Sequence, residues 1–553
     1  MRLEKDNSRS RIASRRRFLK LGVTAGAAAL AVPGIAAGAG AQANVPEVKP
    51  FELDEVSLTD LSAGLQSGKY SSRSLAEEYV SRIREIDTSG PGLNSVIELN
   101  PDALTLADSL DEERKSKGPR GPLHGIPILI KDNIGTADRM TTTAGSLALL
   151  GFRPSKDSAA ARRLRESGAL LLGKTNLSEW ANFRSSHSSS GWSGRGGQTH
   201  NPYAHDRSPC GSSSGSGVAV AASLCAAAVG SETDGSIVCP SSANGIVGIK
   251  PTVGLISRAG IIPISHTQDT AGPMARSVSD AAMLLGVLTG VDADDPATKV
   301  PDRKAAADYT KFLDRGGLKG ARIGVVRKAY DFDESVAAAL ANAYDAMRQE
   351  GAVLIDPVQI ASLGKFDDSE MDAMLYEFKH DLNAYLAGAG PNVPVRSLKE
   401  LIAFNEAYAD RELRYFGQDL FVKAEKKGPL TDKTYLDALA KNHLLAREQG
   451  IDGVMAKYRL DALVAPTAGP TWLIDLIDGD HDTGGSSSLA AVAGYPNINV
   501  PMGFVRGLPV GISFFGRAWS EPTLIKIAYA FEQAARGRKP PRFLATADLS
   551  VNS

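Results

Sequence analysis

Serine hydroxyls set among glycines occur at two places in this chain, and both have the composition of a reaction site. The first is CGSSSGSG, residues 210–217; the second is ETDGS, residues 232–236. Glycine lets backbone N–H groups approach a ligand closely and adopt positive φ. A nucleophilic hydroxyl beside converging amides is what acyl transfer requires, because the amides stabilise the oxyanion that forms. A serine hydroxyl is a weak nucleophile and needs a base. Two lysines directly follow aliphatic runs, Lys131 after Ile128-Leu129-Ile130 and Lys174 after Leu170-Leu171-Leu172-Gly173. Either is a candidate base if it is drawn into the site, and either is a solvent-facing strand end if it is not. Eight histidines are present, but none stands in a metal-ligand spacing, and no cysteine pair has zinc-like spacing. No phosphate-binding or dinucleotide fingerprint occurs, so the chemistry is expected to need neither cofactor nor metal.

The elements that must hold these residues alternate. Residues 128–130 read as a short buried strand, with Pro127 marking an edge or an irregular entry. Residues 159–167 and 176–183 read as helices around a strand at 169–172, and 218–229 as an Ala-rich, closely packed helix. Strands are expected at 246–249, 322–326, 352–355, 462–464 and 498–500, with a hairpin turn near 507–511. Ser74 to Glu77 has the form of a capping box before the helical period of Leu75, Tyr79, Val80, Ile83 and Ile86. Residues 357–457 are charged and helical, an insertion that covers one side of the sheet. The pattern predicts an α/β fold: one large domain, residues 44–553, with a mixed central β-sheet flanked by helices on both faces.

The chain has 553 residues, 43% of them hydrophobic, and a formal net charge of −1. Residues 1–43 carry a net of +6, which leaves the remainder near −7. An acidic body argues against a broad nucleic-acid surface. Cys210, Cys225 and Cys239 are too few for a disulfide framework and are expected to pack as small apolar side chains. Ser14-Arg15-Arg16-Arg17-Phe18-Leu19-Lys20 resembles a twin-arginine export signal, followed by a weakly hydrophobic stretch and the small-residue site Ala41-Gln42-Ala43. Cleavage after Ala43, by way of the twin-arginine export machinery, predicts a periplasmic or secreted protein with no lasting membrane insertion; Pro33 and the glycines make a poor spanning helix.

Over residues 50–540 the chain resembles the amidase signature family of serine hydrolases. The motifs are GPLHGIPILIKDNI (121–134), GKTNLSEWANF (173–183), CGSSSGSG (210–217), GSETDGSIVCPSSANGIVGIKPTVG (230–254), QDTAGPMARSVSDAA (268–282) and APT (465–467). Within the family it is most similar to the bacterial peptide amidases, which share the Glu-Thr-Asp-Gly-Ser-Ile variant and the segments at 178–184 and 375–379. The resemblance implies a Ser–cis-Ser–Lys triad on Ser236, Ser212 and Lys131, with Ser213 and Ser214 as local rivals for the middle role. It favours Lys131 over Lys174, and it implies a cis peptide bond between Gly211 and Ser212. It implies an oxyanion hole from the N–H groups of Thr233, Asp234, Gly235 and Ser236. Many members carry Asp-Thr-Gly-Gly-Ser-Ile-Arg where this chain has Glu232 to Val238, so a structural arginine is missing at 238. The expected substrate is a peptide or small-molecule amide, in particular the C-terminal carboxamide of peptides. Alternatives are a general amidase for aliphatic, aryl or oligomeric amides, and an inactive binding protein on the same scaffold; the export signal argues against a transamidation subunit.

Overall fold

Thirteen short strands carry the architecture among the described residues: β1 (Val96–Leu99), β2 (Pro127–Lys131), β3 (Leu170–Thr175), β4 (Trp192–Ser193), β5 (Gly197–Gln198), β6 (Ala227–Glu232), β7 (Val247–Lys250), β8 (Thr270–Ala275), β9 (Arg322–Val325), β10 (Val353–Ile355), β11 (Ala462–Pro466), β12 (Asn497–Val505) and β13 (Leu508–Phe515). This computed structural model describes residues 48–327, 334–390, 393–482 and 484–549. The export motif and Ala43 therefore lie outside the described residues. Eleven strands form one mixed sheet in the order β1-β3-β2-β6-β8-β7-β12-β13-β11-β9-β10, and β4 and β5 make a separate ribbon. β3, β2 and β6 run parallel, as do β11, β9 and β10; the pairs that join them are antiparallel. Val45–Ser553 is one compact unit.

Every residue of β2, β3, β6 and β8 is buried. Side chains of a strand alternate between faces, so continuous burial means that both faces are covered. The Ala-rich helix Ser214–Ala221 and the helix Val278–Leu288 supply part of that cover. Between 357 and 457 the described residues hold helices and no strand, among them Asp367–Ala387, Asp419–Glu425 and Lys433–His443.

Several local expectations are corrected. The stretch 218–229 is not one helix: the helix ends at Ala221, and β6 begins at Ala227. A run of alanines and valines fits either element, and the strand is imposed by pairing with β2 and β8. Residues 176–183 hold only a 3-10 turn, Glu179–Asn182, in which Trp180 and Ala181 take positive φ. The capping box starts at Ser71, whose side chain accepts from the Ser74 N–H while Ser74 reciprocates, so the helix begins at Ser72 rather than after Ser74. Pro127 opens an interior strand, not an edge; its entry is irregular, with a register shift between Ile128 and Leu129. The hairpin turns at Arg506-Gly507, and residues 508–511 already belong to β13. β8 carries no obvious strand signal, since Gly272 and Pro273 interrupt it. A Cβ on Gly272 would lie 2.1 Å from the Ile249 carbonyl oxygen, so the close approach of β7 requires glycine there.

Candidate active site

The carboxyl ends of the parallel strands β3, β2 and β6 lie side by side, the usual location of a site in an open α/β sheet. Lys131 is the last residue of β2 and is fully buried. Its Nζ lies 2.7 Å from Ser212 Oγ, 3.0 Å from Ser231 Oγ and 3.2 Å from the Ser231 carbonyl oxygen. An ammonium would donate all three of these bonds. A neutral amine would donate two and turn its lone pair to Ser212. Burial pushes the Lys131 amine down to about 7, against the opposing pull of Asp269 and Glu232. Lys131 is thus poised to change charge near neutrality.

Lys174 behaves differently. It stands opposite Ile130 in the β2–β3 register, while Lys131 stands opposite Thr175, so the two lysines point to opposite faces of the sheet. Lys174 Nζ donates to the Ile134 carbonyl and to Thr142 Oγ1. It supports the strand end and does not reach the serines.

Ser212 follows a cis peptide bond from Gly211. Its carbonyl accepts from the Ser178 N–H at 3.1 Å. The neighbouring hydroxyls are committed to backbone groups: Ser213 Oγ donates to the Ser231 carbonyl at 3.0 Å, and Ser214 Oγ to the Cys210 carbonyl at 2.6 Å. Of the three serines, only Ser212 meets the lysine.

Ser236 sits on the turn that leaves β6. Gly235, at φ 79°, reverses the chain there. The Glu232 carboxylate accepts from the N–H groups of Ile237 at 2.7 Å and Val238 at 3.0 Å, and the Cys239 N–H donates to the Gly235 carbonyl. Glu232 is therefore the brace of the turn. Burial raises its pKa, and Lys250 of β7 supplies the positive charge that opposes the rise. Thr233 Oγ1 donates to Asp269 at 2.6 Å. The two serine segments are also joined directly, since the Ser213 N–H donates to the Ser236 carbonyl at 3.2 Å.

Thr233, Asp234, Gly235 and Ser236 line a cleft of about 390 Å³, together with Phe183, Met371, Met374, Leu420 and Trp472. The helical insertion contributes the methionines and Leu420, so it forms one wall. A second cavity of about 210 Å³ is lined by Ser212, Ser231 and Asn133.

Cys210 and Cys239 form a disulfide with Cα atoms 6.0 Å apart, which corrects the expectation that all three cysteines are free; Cys225 alone is a buried thiol. The bond ties the residue before Gly211–Ser212 to a residue three beyond Ser236, and both cysteines line the cleft. Ser231 and Asn133 are absent from the sequence-based site. Asn133 Nδ2 donates to Ser231 Oγ at 2.9 Å, which fixes the hydroxyl that faces Lys131. Their signal was adjacency to motif residues alone. The 178–184 segment is tied to both packing and cleft, since Arg184 pairs with Glu179 in full burial while Phe183 lines the cleft; in 375–379, Glu377 accepts from Tyr435 Oη at 2.8 Å. Among the described residues no helix is long and apolar enough to cross a membrane.

A family model described as Amidase matches residues 75–525. A probable amidase of Arabidopsis thaliana is 44% identical over 504 residues, covering 90% of this chain and 93% of its own. The native peptide amidase of Stenotrophomonas maltophilia is 52% identical with a TM-score of 0.86, over 89% of this chain and 100% of that one. A structure of the peptide amidase with the competitive inhibitor chymostatin is 53% identical at the same TM-score and coverage.

Proposed function

The chain belongs to the amidase family and is an amide-hydrolysing enzyme, and we propose that it removes the C-terminal carboxamide of peptides through an acyl-enzyme on Ser236. The observation that carries this reading is the buried Lys131 amine 2.7 Å from Ser212 Oγ, beside the turn that bears Ser236. In the proposed reaction Ser236 Oγ attacks the amide carbon while its proton passes to Ser212, whose own proton passes to neutral Lys131. The N–H groups of Thr233, Asp234, Gly235 and Ser236 face the oxyanion that develops. Lys131 returns the proton through Ser212 to the leaving nitrogen, the C–N bond breaks, and ammonia departs. Water then repeats the attack on the ester, the same relay takes its proton, and Ser236 is released with the free acid.

Likeness to the peptide amidase supports a peptide as the acyl part, and so does a cleft walled by Phe183, Met371, Met374 and Trp472. Export through the twin-arginine route, with cleavage after Ala43, is part of the same proposal and is supported by the sequence motif. The test is ammonia release from a peptide carboxamide by the mature protein, with internal bonds left intact and activity abolished in Ser236→Ala. Turnover of benzamide or acetamide without turnover of the peptide amide would refute the substrate class; full activity in Ser236→Ala would refute the nucleophile.

A further inference from the structure

The nucleophile turn is held from the insertion side by a pair of carboxyl groups. The Asp234 carboxyl is buried between two hydroxyls: Oδ2 accepts from Ser488 Oγ at 2.7 Å, and Ser487 supplies a second side-chain hydrogen bond. Glu370, on the helix Asp367–Ala387, is 6% exposed and accepts at Oε1 from Gln268 Nε2 at 2.9 Å. The two carboxyl groups line one cavity and lie within hydrogen-bonding reach of each other. Two carboxylates offer acceptors only, so that contact exists while at least one of them carries a proton. Gln268 Nε2 also lies 3.4 Å from the Thr233 carbonyl oxygen, so one amide spans the turn and Glu370.

We propose that Glu370 is a positioning residue for the reaction: a proton held between Glu370 and Asp234 clamps the Ser236 turn onto the insertion helix, and loss of that proton loosens the turn. The inference rests on the reading of that turn as nucleophile and oxyanion hole. Its surroundings agree. Burial holds both carboxyls above the usual range, and the Asp234 charge raises Glu370 further. Asp367, on the same helix as Glu370, adds negative charge, and Glu232 faces Asp234 from the end of β6. Lys250 of β7 is the cation that favours ionisation of Asp234, and burial brings it down to about 8, so its pull fades as the medium becomes alkaline. A cavity of about 390 Å³ lined by Asp234, Asp367 and Glu370 gives the pair access to the pH of the medium.

The clamp predicts an alkaline limb in kcat that is independent of Lys131, whose titration governs the acid side. Glu370→Gln replaces the shared proton with an amide N–H that does not titrate. The expected result is a wild-type kcat that falls tenfold or more toward alkaline pH, and a Glu370→Gln limb that is absent or moved up by at least one pH unit, with KM little changed. Glu370→Ala lowers kcat at every pH. Superimposable wild-type and Glu370→Gln profiles, or a wild-type kcat flat to pH 10, would overturn the proposal. Thermal midpoints against pH give a readout that needs no turnover, taken in Ser236→Ala with and without Glu370→Gln. Between pH 7 and 9 the midpoint falls more in the single variant than in the double variant, and equal slopes overturn the clamp whether or not peptide amides are the substrate. If Glu370→Gln does not fold, Asp234→Asn tests the same proton from the other partner.

Discussion

If Lys131 accepts the proton, the enzyme titrates with it. The fall of its amine from 10.5 to about 7 is worth about 5 kcal/mol in favour of the neutral form. Without that shift, about one molecule in three thousand would hold a neutral base at pH 7; with it, about half do. The rate constant kcat/KM for ammonia release should therefore fall about tenfold at pH 6 and about a hundredfold at pH 5, with a limiting slope of one. The same shift carries a stability cost of defined sign. Folded Lys131 binds its proton more weakly than the unfolded chain does, so stability rises with pH between about 7 and 10.5, and the full cost is present below that window. Lys131→Met should abolish turnover at every pH and raise folding stability, the gain at pH 6 exceeding that at pH 9 by about 2 to 3 kcal/mol in denaturant titrations. A kcat/KM that stays flat from pH 5 to 8, or a Lys131→Met gain with no pH dependence, would refute the assignment.

Further outcomes follow from neighbouring contacts. Lys174→Ala should retain the Lys131-controlled pH profile, because its partners are Ile134 and Thr142 and not the serines; loss of the acid limb in that variant would make Lys174 the base. Ser231→Ala removes the hydroxyl that Asn133 orients toward Lys131, and kcat should fall roughly tenfold to a hundredfold, as expected for about 1.5–3 kcal/mol of lost hydrogen bonding; unchanged kinetics would deny the hydroxyl a role. Reduction of Cys210–Cys239, which spans 29 residues of sequence, should cost about 3–4 kcal/mol and lower the melting midpoint by about 3–4 °C for a domain of this size, with Cys210→Ser/Cys239→Ser matching the reduced protein; an insensitive midpoint would show that the bridge adds nothing. For export, Arg15→Lys/Arg16→Lys should keep the leader-bearing chain in the cytoplasm, while the wild type yields a mature chain beginning at Asn44; an unprocessed wild type would remove that part of the proposal.

The α/β class, the mixed sheet and most strand positions were legible because aliphatic runs bounded by glycine and proline have few other uses. The site was legible in its hydroxyls and glycines but ambiguous in its base, since Lys131 and Lys174 follow similar runs. The strand register separates them by directing each to its own face, and that register is a property of paired strands, not of either segment. The 218–229 stretch reads as a helix because alanine and valine carry no period that distinguishes a helix from a strand wedged between two neighbours. The disulfide is hidden for a related reason: nothing in a spacing of 29 residues reveals that the two segments end 6.0 Å apart. Ser231 and Asn133 stand inside the quoted motifs, but their partners are about 100 residues away in the chain, and nothing local says that they meet.

The placement of Lys131 between strands also sets the order in which the enzyme can come into being. Its hydrogen-bond partners Ser212 and Ser231 lie 81 and 100 residues later in the chain. The parallel pairing of β2 with β6 needs the whole intervening crossover before it can close. A chain that has reached only residue 230 therefore carries a lysine that is solvated and charged, with Ser212 not yet held against it. The contacts of Lys131 thus form only once β6 has paired with β2, so the buried amine is a product of sheet assembly and not of any local segment.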